Sequence, residues 1–323
     1  MRKAEAEKWT PSRETGDEFG RNAVLRLTFR RKWVQLAAVL GATTLTLSFC
    51  GSKSNEPDPV VIKQIWYTPA WSPDGREIVC TIWRRDDSFD GAAFTAVLDA
   101  STGEILRERP QNALSPFAFS WTPDGKWLLF GAGPGIFKMT SDLDSLVQLT
   151  SGEFHDNPSY SRARNLVFFT VNDGRVGGLF SVTLEGDSLR RWSTQETLVF
   201  GTSAFPDESD SLVGFSGTQG GYWLMVFSPE AIGSALQLSQ SGQPGAQISL
   251  DHRYVAYNKG TSLILLDRGS GSPRTITTLL TTAMSFSADG GKLVYPILAG
   301  KEVGLWIFDL ATGEHTRLTD GTR

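Results

Sequence analysis

The sequence predicts an all-β body: a six-bladed β-propeller of four-stranded antiparallel blades, preceded by an N-terminal signal or anchor segment. Three observations predict it. One phrase recurs six times, its spacing matches a four-stranded blade, and no segment of useful length after residue 50 has a helical period.

The phrase reads YTPAWSPDGREIVC (67–80), PFAFSWTPDGKWLLF (116–130), DNPSYSRARNLVFF (156–169), TSAFPDESDSLVGF (202–215), GAQISLDHRYVAY (245–257) and TAMSFSADGGKLVY (282–295). Anchored on Asp74, Asp124, Ala163, Ser209, Asp251 and Asp289, the spacings are 50, 39, 46, 42 and 38, with a mean near 43. Each turn is expected to join the innermost strand of a blade to its second. Pro73 presets φ, Asp74 bonds local backbone and Gly75 tolerates positive φ. The residue before the turn (Trp71, Trp121, Tyr160, Phe205, Ile248 or Phe286) is expected to pack between neighbouring blades. A third strand follows, as in Phe94–Asp99, Leu263–Asp267 and Leu305–Asp309. The fourth ends in a tag, Val147-Gln148-Leu149-Thr150 in one unit and Thr316-Arg317-Leu318-Thr319 in another. The last unit carries its own fourth strand, so Val60–Gln64 is expected to add to that outer strand or replace it as the ring closes.

The pattern P-x-W-S-P-D-G, followed by an apolar strand and a later L-T, resembles the WD-repeat-like units of the TolB-type β-propeller family. The likeness covers about residues 60–323, is sharp in repeats 1, 2 and 6, and decays in repeats 3 and 4. It implies a propeller domain alone. The α/β domain of that family has no counterpart in the few residues between Cys50 and the first repeat, so its partner interactions do not transfer.

Residues 1–29 read as a polar tail or the product of an early start codon, 30–50 as a signal peptide or signal anchor, and 51–59 as a linker. The basic cluster Arg30-Arg31-Lys32 precedes seventeen uncharged residues, Trp33 to Phe49, and then Cys50. That layout resembles a bacterial lipoprotein signal with Cys50 as the lipidated residue, although Phe49 stands where a small residue is usual. An uncleaved anchor and a soluble secreted form are the alternatives. All three place the body outside the cytoplasm, at the cell envelope. Cys50 and Cys80 are the two cysteines, so one bridge is the most they allow.

Composition narrows the partners. Nine of the 31 Lys and Arg and five of the 35 Asp and Glu fall within residues 1–50, which leaves the body at −8. So acidic a surface repels a phosphate backbone, and no nucleic-acid partner is expected. A serine hydrolase needs a G-x-S-x-G elbow, and Gly214-Phe215-Ser216-Gly217-Thr218 lacks the closing glycine. His155, His252 and His315 fall at different places in their blades, so no metal centre and no cofactor are expected. Asp86, Asp87 and Asp90 match no EF-hand spacing.

The expected function is a non-enzymatic module that binds a protein or peptide. A ligand-binding, carbohydrate-binding or hydrolytic propeller is the rival. The candidate binding residues lie on the loop face, where chains enter the innermost strands: Tyr67, Arg84, Arg85, Asp86, Asp87, Phe117, His155, Asp156 and Asn157. No catalytic residue is assigned.

Overall fold

The computed structural model describes residues 61–85, 91–111, 114–171, 178–192, 202–204, 212–218, 221–228, 231–239 and 246–322. For 202–239 and for Phe117 it describes the backbone alone. The tail, signal segment, Cys50 and linker lie outside these residues. Pro59–Arg323 form one compact unit. Among the described residues no helix is long and apolar enough to cross a membrane.

The strands follow one another without exchange between repeats. Blade 1 holds β1 (Gln64–Trp71), β2 (Glu77–Arg85), β3 (Gly91–Asp99) and β4 (Ile105–Pro110). Blade 2 holds β5 (Phe117–Trp121), β6 (Trp127–Ala132), β7 (Gly135–Thr140) and β8 (Leu146–Gln148). Blade 3 holds β9 (His155–Ser161), β10 (Leu166–Val171), β11 (Gly178–Val182) and β12 (Arg190–Arg191). The fourth unit pairs β13 (Thr202–Ala204), β14 (Leu212–Thr218), β15 (Gly221–Ser228) and β16 (Ala231–Ser239). Then come β17 (Ala246–Ile248), β18 (Tyr254–Lys259), β19 (Ser262–Asp267) and β20 (Ser272–Thr277). The last unit is β21 (Ser285–Phe286), β22 (Lys292–Ile297), β23 (Gly304–Asp309) and β24 (His315–Arg317). Within each sheet successive strands pair antiparallel.

A six-bladed propeller was expected. Five blades are described with packed side chains, and the fourth unit is described by its strand pairing. Four apolar clusters join those five in order. Ile276 and Met284 bridge the fifth and sixth units, and Trp66 and Ile78 of blade 1 meet Leu305 and Ile307 of the sixth. Val79 and Phe130 join blades 1 and 2, and Leu129 and Phe169 join blades 2 and 3. Second strands therefore read as nearly unbroken apolar runs, because both of their faces are covered.

The ring-closing expectation needs correction. Residues 61–63 form no strand, β1 begins at Gln64, and β24 is the outer strand of its own sheet. The two ends meet instead through Lys63 and Gln64 N–H donors to the Gly321 carbonyl, at 2.8 and 3.0 Å. The Gly321 N–H in turn donates to the Val303 carbonyl. Apolar packing and these few bonds close the seam, where an exchanged strand was expected.

Candidate functional site: the axial cavity

The turn network sets how each innermost strand ends. In blade 1 the Ser72 hydroxyl donates to Asp74 Oδ1 at 2.6 Å and accepts the Glu77 N–H. Asp74 Oδ1 also accepts the Arg76 N–H. The same set recurs at Thr122 and Asp124, at Ser249 and Asp251, and at Ser287 and Asp289. These bonds favour the ionised form and hold all four carboxyls below the usual range, against some desolvation. The Asp residues are turn-formers, as expected. The Ser or Thr two positions earlier shares that work and was not singled out from the sequence.

Above the turns, the innermost strands of blades 1, 2 and 3 carry one irregularity at the same height. The ladder slips between Tyr67 and Ala70, between Phe117 and Ser120, and between the partners of Phe168 and Thr170. Thr68, Ala118 and Asn157 sit there at φ 47°, 55° and 51°. None is glycine, and a β-branched residue at positive φ is an outlier. The bulge is held in place by neighbouring groups: Thr81 Oγ1 donates to the Pro116 carbonyl, Thr170 Oγ1 to Asp156 O, and Ser120 Oγ to Pro158 O.

Below the bulge, the innermost strands of five units enclose a cavity of about 520 Å³. Its wall is mixed: Trp71, Phe119, Trp121, Tyr160, Ile248 and Phe286 stand beside polar residues such as Ser72, Ser120, Ser159, Gln247 and Ser285. Five of the six side chains expected to pack between blades thus have a face on this space, and the sixth, Phe205, lies outside the described residues. Trp121 Nε1 donates to the Ala70 carbonyl of the preceding blade at 3.1 Å, which fixes the ring at the wall. The second residues of the turns, Pro73, Pro123, Arg162, Leu250 and Ala288, rim the opening on the turn side. Among the described lining residues Arg162 is the single charged one.

The structure divides the loop-face candidates. Tyr67, Phe117, Asp156 and Asn157 occupy the bulge rung on adjacent innermost strands, and Asn157 also lines the cavity. Burial pushes the Tyr67 phenol up. It also raises the Asp156 carboxyl to about 6, against the opposing pull of the Asn157 N–H. His155 is engaged elsewhere: its Nδ1 lies 2.8 Å from Thr150 Oγ1, and its ring packs on Phe169. Arg84 forms a double ion pair with Glu108 of the outermost strand, at 3.0 and 2.6 Å, and stacks over Phe94. Arg85 is the exposed last residue of β2. Asp86 and Asp87 lie outside the described residues.

The three histidines are as dispersed as expected. His252 takes the left-handed turn position at φ 59° that Gly75, Gly125 and Gly290 fill in three other units, and His315 of β24 meets the Tyr295 hydroxyl of β22. Among the described residues no group of three or more His, Cys, Asp or Glu is placed to hold a metal ion. Cys80 is a buried thiol whose pKa burial raises.

No family model and no curated protein matches the sequence. Solved structures do. TolB from Acinetobacter baumannii superposes with a TM-score of 0.54 at 16% identity, covering 78% of this chain and 62% of that one. The chain therefore spans under two thirds of that protein's length. A nidogen/laminin complex matches at 0.54 and 9% identity, over 79% of this chain and 92% of that one. An oligogalacturonate lyase in complex with manganese matches at 0.50 and 11%, over 81% and 79%. At such identities these likenesses establish a shared architecture: this chain has a β-propeller fold similar to that of TolB.

Proposed function

We propose that the protein is a non-enzymatic interaction module of the bacterial cell envelope, which takes a protein or peptide segment into the axis of its propeller. The observation that carries this reading is the cavity itself, where aromatic rings and polar side chains from five innermost strands face one space. The bulge rung with Tyr67, Phe117, Asp156 and Asn157 is the loop-side continuation of the same path. A nidogen/laminin complex among the structural neighbours supports a binding role for such a scaffold. The basic and apolar run at 30–50 supports export, with retention at the membrane through Cys50 or the apolar segment.

Photo-crosslinking in cells tests the reading. A photoreactive residue replacing Ala288 at the cavity rim gives discrete protein adducts, and one replacing exposed Leu106 on β4 gives none. Adducts from Leu106 with none from Ala288 would place the partner on the rim of the molecule and overturn it.

A further inference from the structure

The repeat breaks at one place that matters chemically. At the second turn position the cavity rim is Pro73, Pro123, Leu250 and Ala288 in four units, all without charge. Blade 3 puts Arg162 there. In the same turn the acid is also lost, because Ala163 stands where Asp74, Asp124, Asp251 and Asp289 stand in four of the other units. The turn is reshaped without the carboxylate: the Ser161 hydroxyl accepts the Arg164 N–H at 3.4 Å, and the left-handed residue is Asn165, one position later than Gly75 in blade 1.

Arg162 is exposed and forms no ion pair with another described residue, unlike Arg76, Lys126 and Arg253 at the sister turns. Among the described residues, Asp124, Glu185 and Arg162 all act on Tyr160 at the cavity wall. Asp124 is already engaged by the Thr122 hydroxyl and the Lys126 ammonium. A planar guanidinium at the edge of a space lined by aromatic rings together with serine hydroxyls suits a group that presents an apolar body to the rings and ends in a carboxylate, bound in two parallel hydrogen bonds. A volume of about 520 Å³ is within the range of cavities that hold small ligands or a few residues.

We infer that the cavity selects an amphipathic carboxylate, entering from the turn side, with Arg162 as its anion contact. This rests on the reading of the cavity as the binding site and names the chemistry it recognises. The carboxylate belongs either to the C-terminus of a chain or to a free aromatic or aliphatic acid.

Calorimetric titration of the full chain separates these. The probes are N-acetyl-Ala-Phe as free acid and as C-terminal amide, and 3-phenylpropanoate with its amide. The acids are expected to bind at least about tenfold more tightly than their amides. Arg162→Ala removes that preference, Arg162→Lys restores part of it, and Ala288→Trp, which fills the rim, abolishes binding of acid and amide alike. A peptide acid that binds about tenfold above 3-phenylpropanoate marks a chain terminus as the ligand. Parity marks a free acid. Equal affinity for acid and amide, or a preference that survives Arg162→Ala, overturns the carboxylate inference and leaves the cavity reading standing if Ala288→Trp still blocks. Binding of every probe that Ala288→Trp leaves intact overturns both, and absence of binding by all four overturns the carboxylate inference.

Discussion

Single residues in this fold are assigned to turns, bulges or seams by their hydrogen bonds. The Ser/Thr–x–Asp turn was half legible: the acid and glycine announce themselves, whereas the hydroxyl looks like ordinary loop composition. The bulge was not legible, because Thr68, Ala118 and Asn157 share no residue type and none is a glycine. Asp156 is the residue with a measurable consequence. Its folded pKa, about 6, lies above that of a free Asp, so the folded state binds a proton more tightly than the unfolded chain. Stability therefore falls as pH rises from about 4 to 6, and the penalty is complete above that. Asp156→Asn is expected to raise stability at pH 7 by roughly 1–2 kcal/mol, discounted for partial exposure, and to change nothing near pH 4. Urea denaturation at the two pH values checks it. Equal effects at both would remove the titration as the cause.

At the scale of the strand, the repeated Leu-Thr tag gains a physical meaning. Leu149 N–H donates to the Ile136 carbonyl, and Thr150 Oγ1 accepts the Ile136 N–H at 3.0 Å. Leu318, Thr319 and Leu305 repeat the arrangement. The tag is a clamp on the start of the third strand, and it needs a glycine there. A Cβ on Gly135 would stand 1.9 Å from the Thr150 carbonyl oxygen, and one on Gly304 would stand 2.1 Å from that of Thr319. Both glycines also have φ near 150°. The tag was visible in the sequence and its partner was not, since the pairing runs across fourteen residues. Gly304→Ala is expected to cost at least about 2 kcal/mol, and Thr319→Val, which leaves the Leu305 N–H without its acceptor, about 1–2 kcal/mol. Thermal unfolding of the two variants checks this. A Gly304→Ala protein as stable as the parent would refute the clamp.

At the scale of the whole molecule, the described seams between blades are apolar packing reinforced by arginine. Arg107 of β4 grips Glu77 in its own sheet and donates to the Ser141 carbonyl of the next blade; Arg109 donates to the Leu143 and Asp144 carbonyls. Arg274 reaches Leu310 in the same way. The phase of the blades, and which strand is innermost, followed from the spacing of one phrase. What the spacing did not reveal is that the innermost strands leave a space between them, or that the break in the third repeat, Ser161-Arg162-Ala163, falls on its rim. Those facts depend on how turns from distant repeats converge. The loop face, Arg84 included, was the surface the sequence favoured, and the structure draws attention to the axis. The direct test is quantitative recovery of crosslinked envelope proteins with the parent chain, with Ala288→Trp and with Arg84→Ala. The account predicts that Ala288→Trp lowers recovery about tenfold or more while Arg84→Ala leaves it unchanged. Loss with Arg84→Ala and full recovery with Ala288→Trp would contradict it.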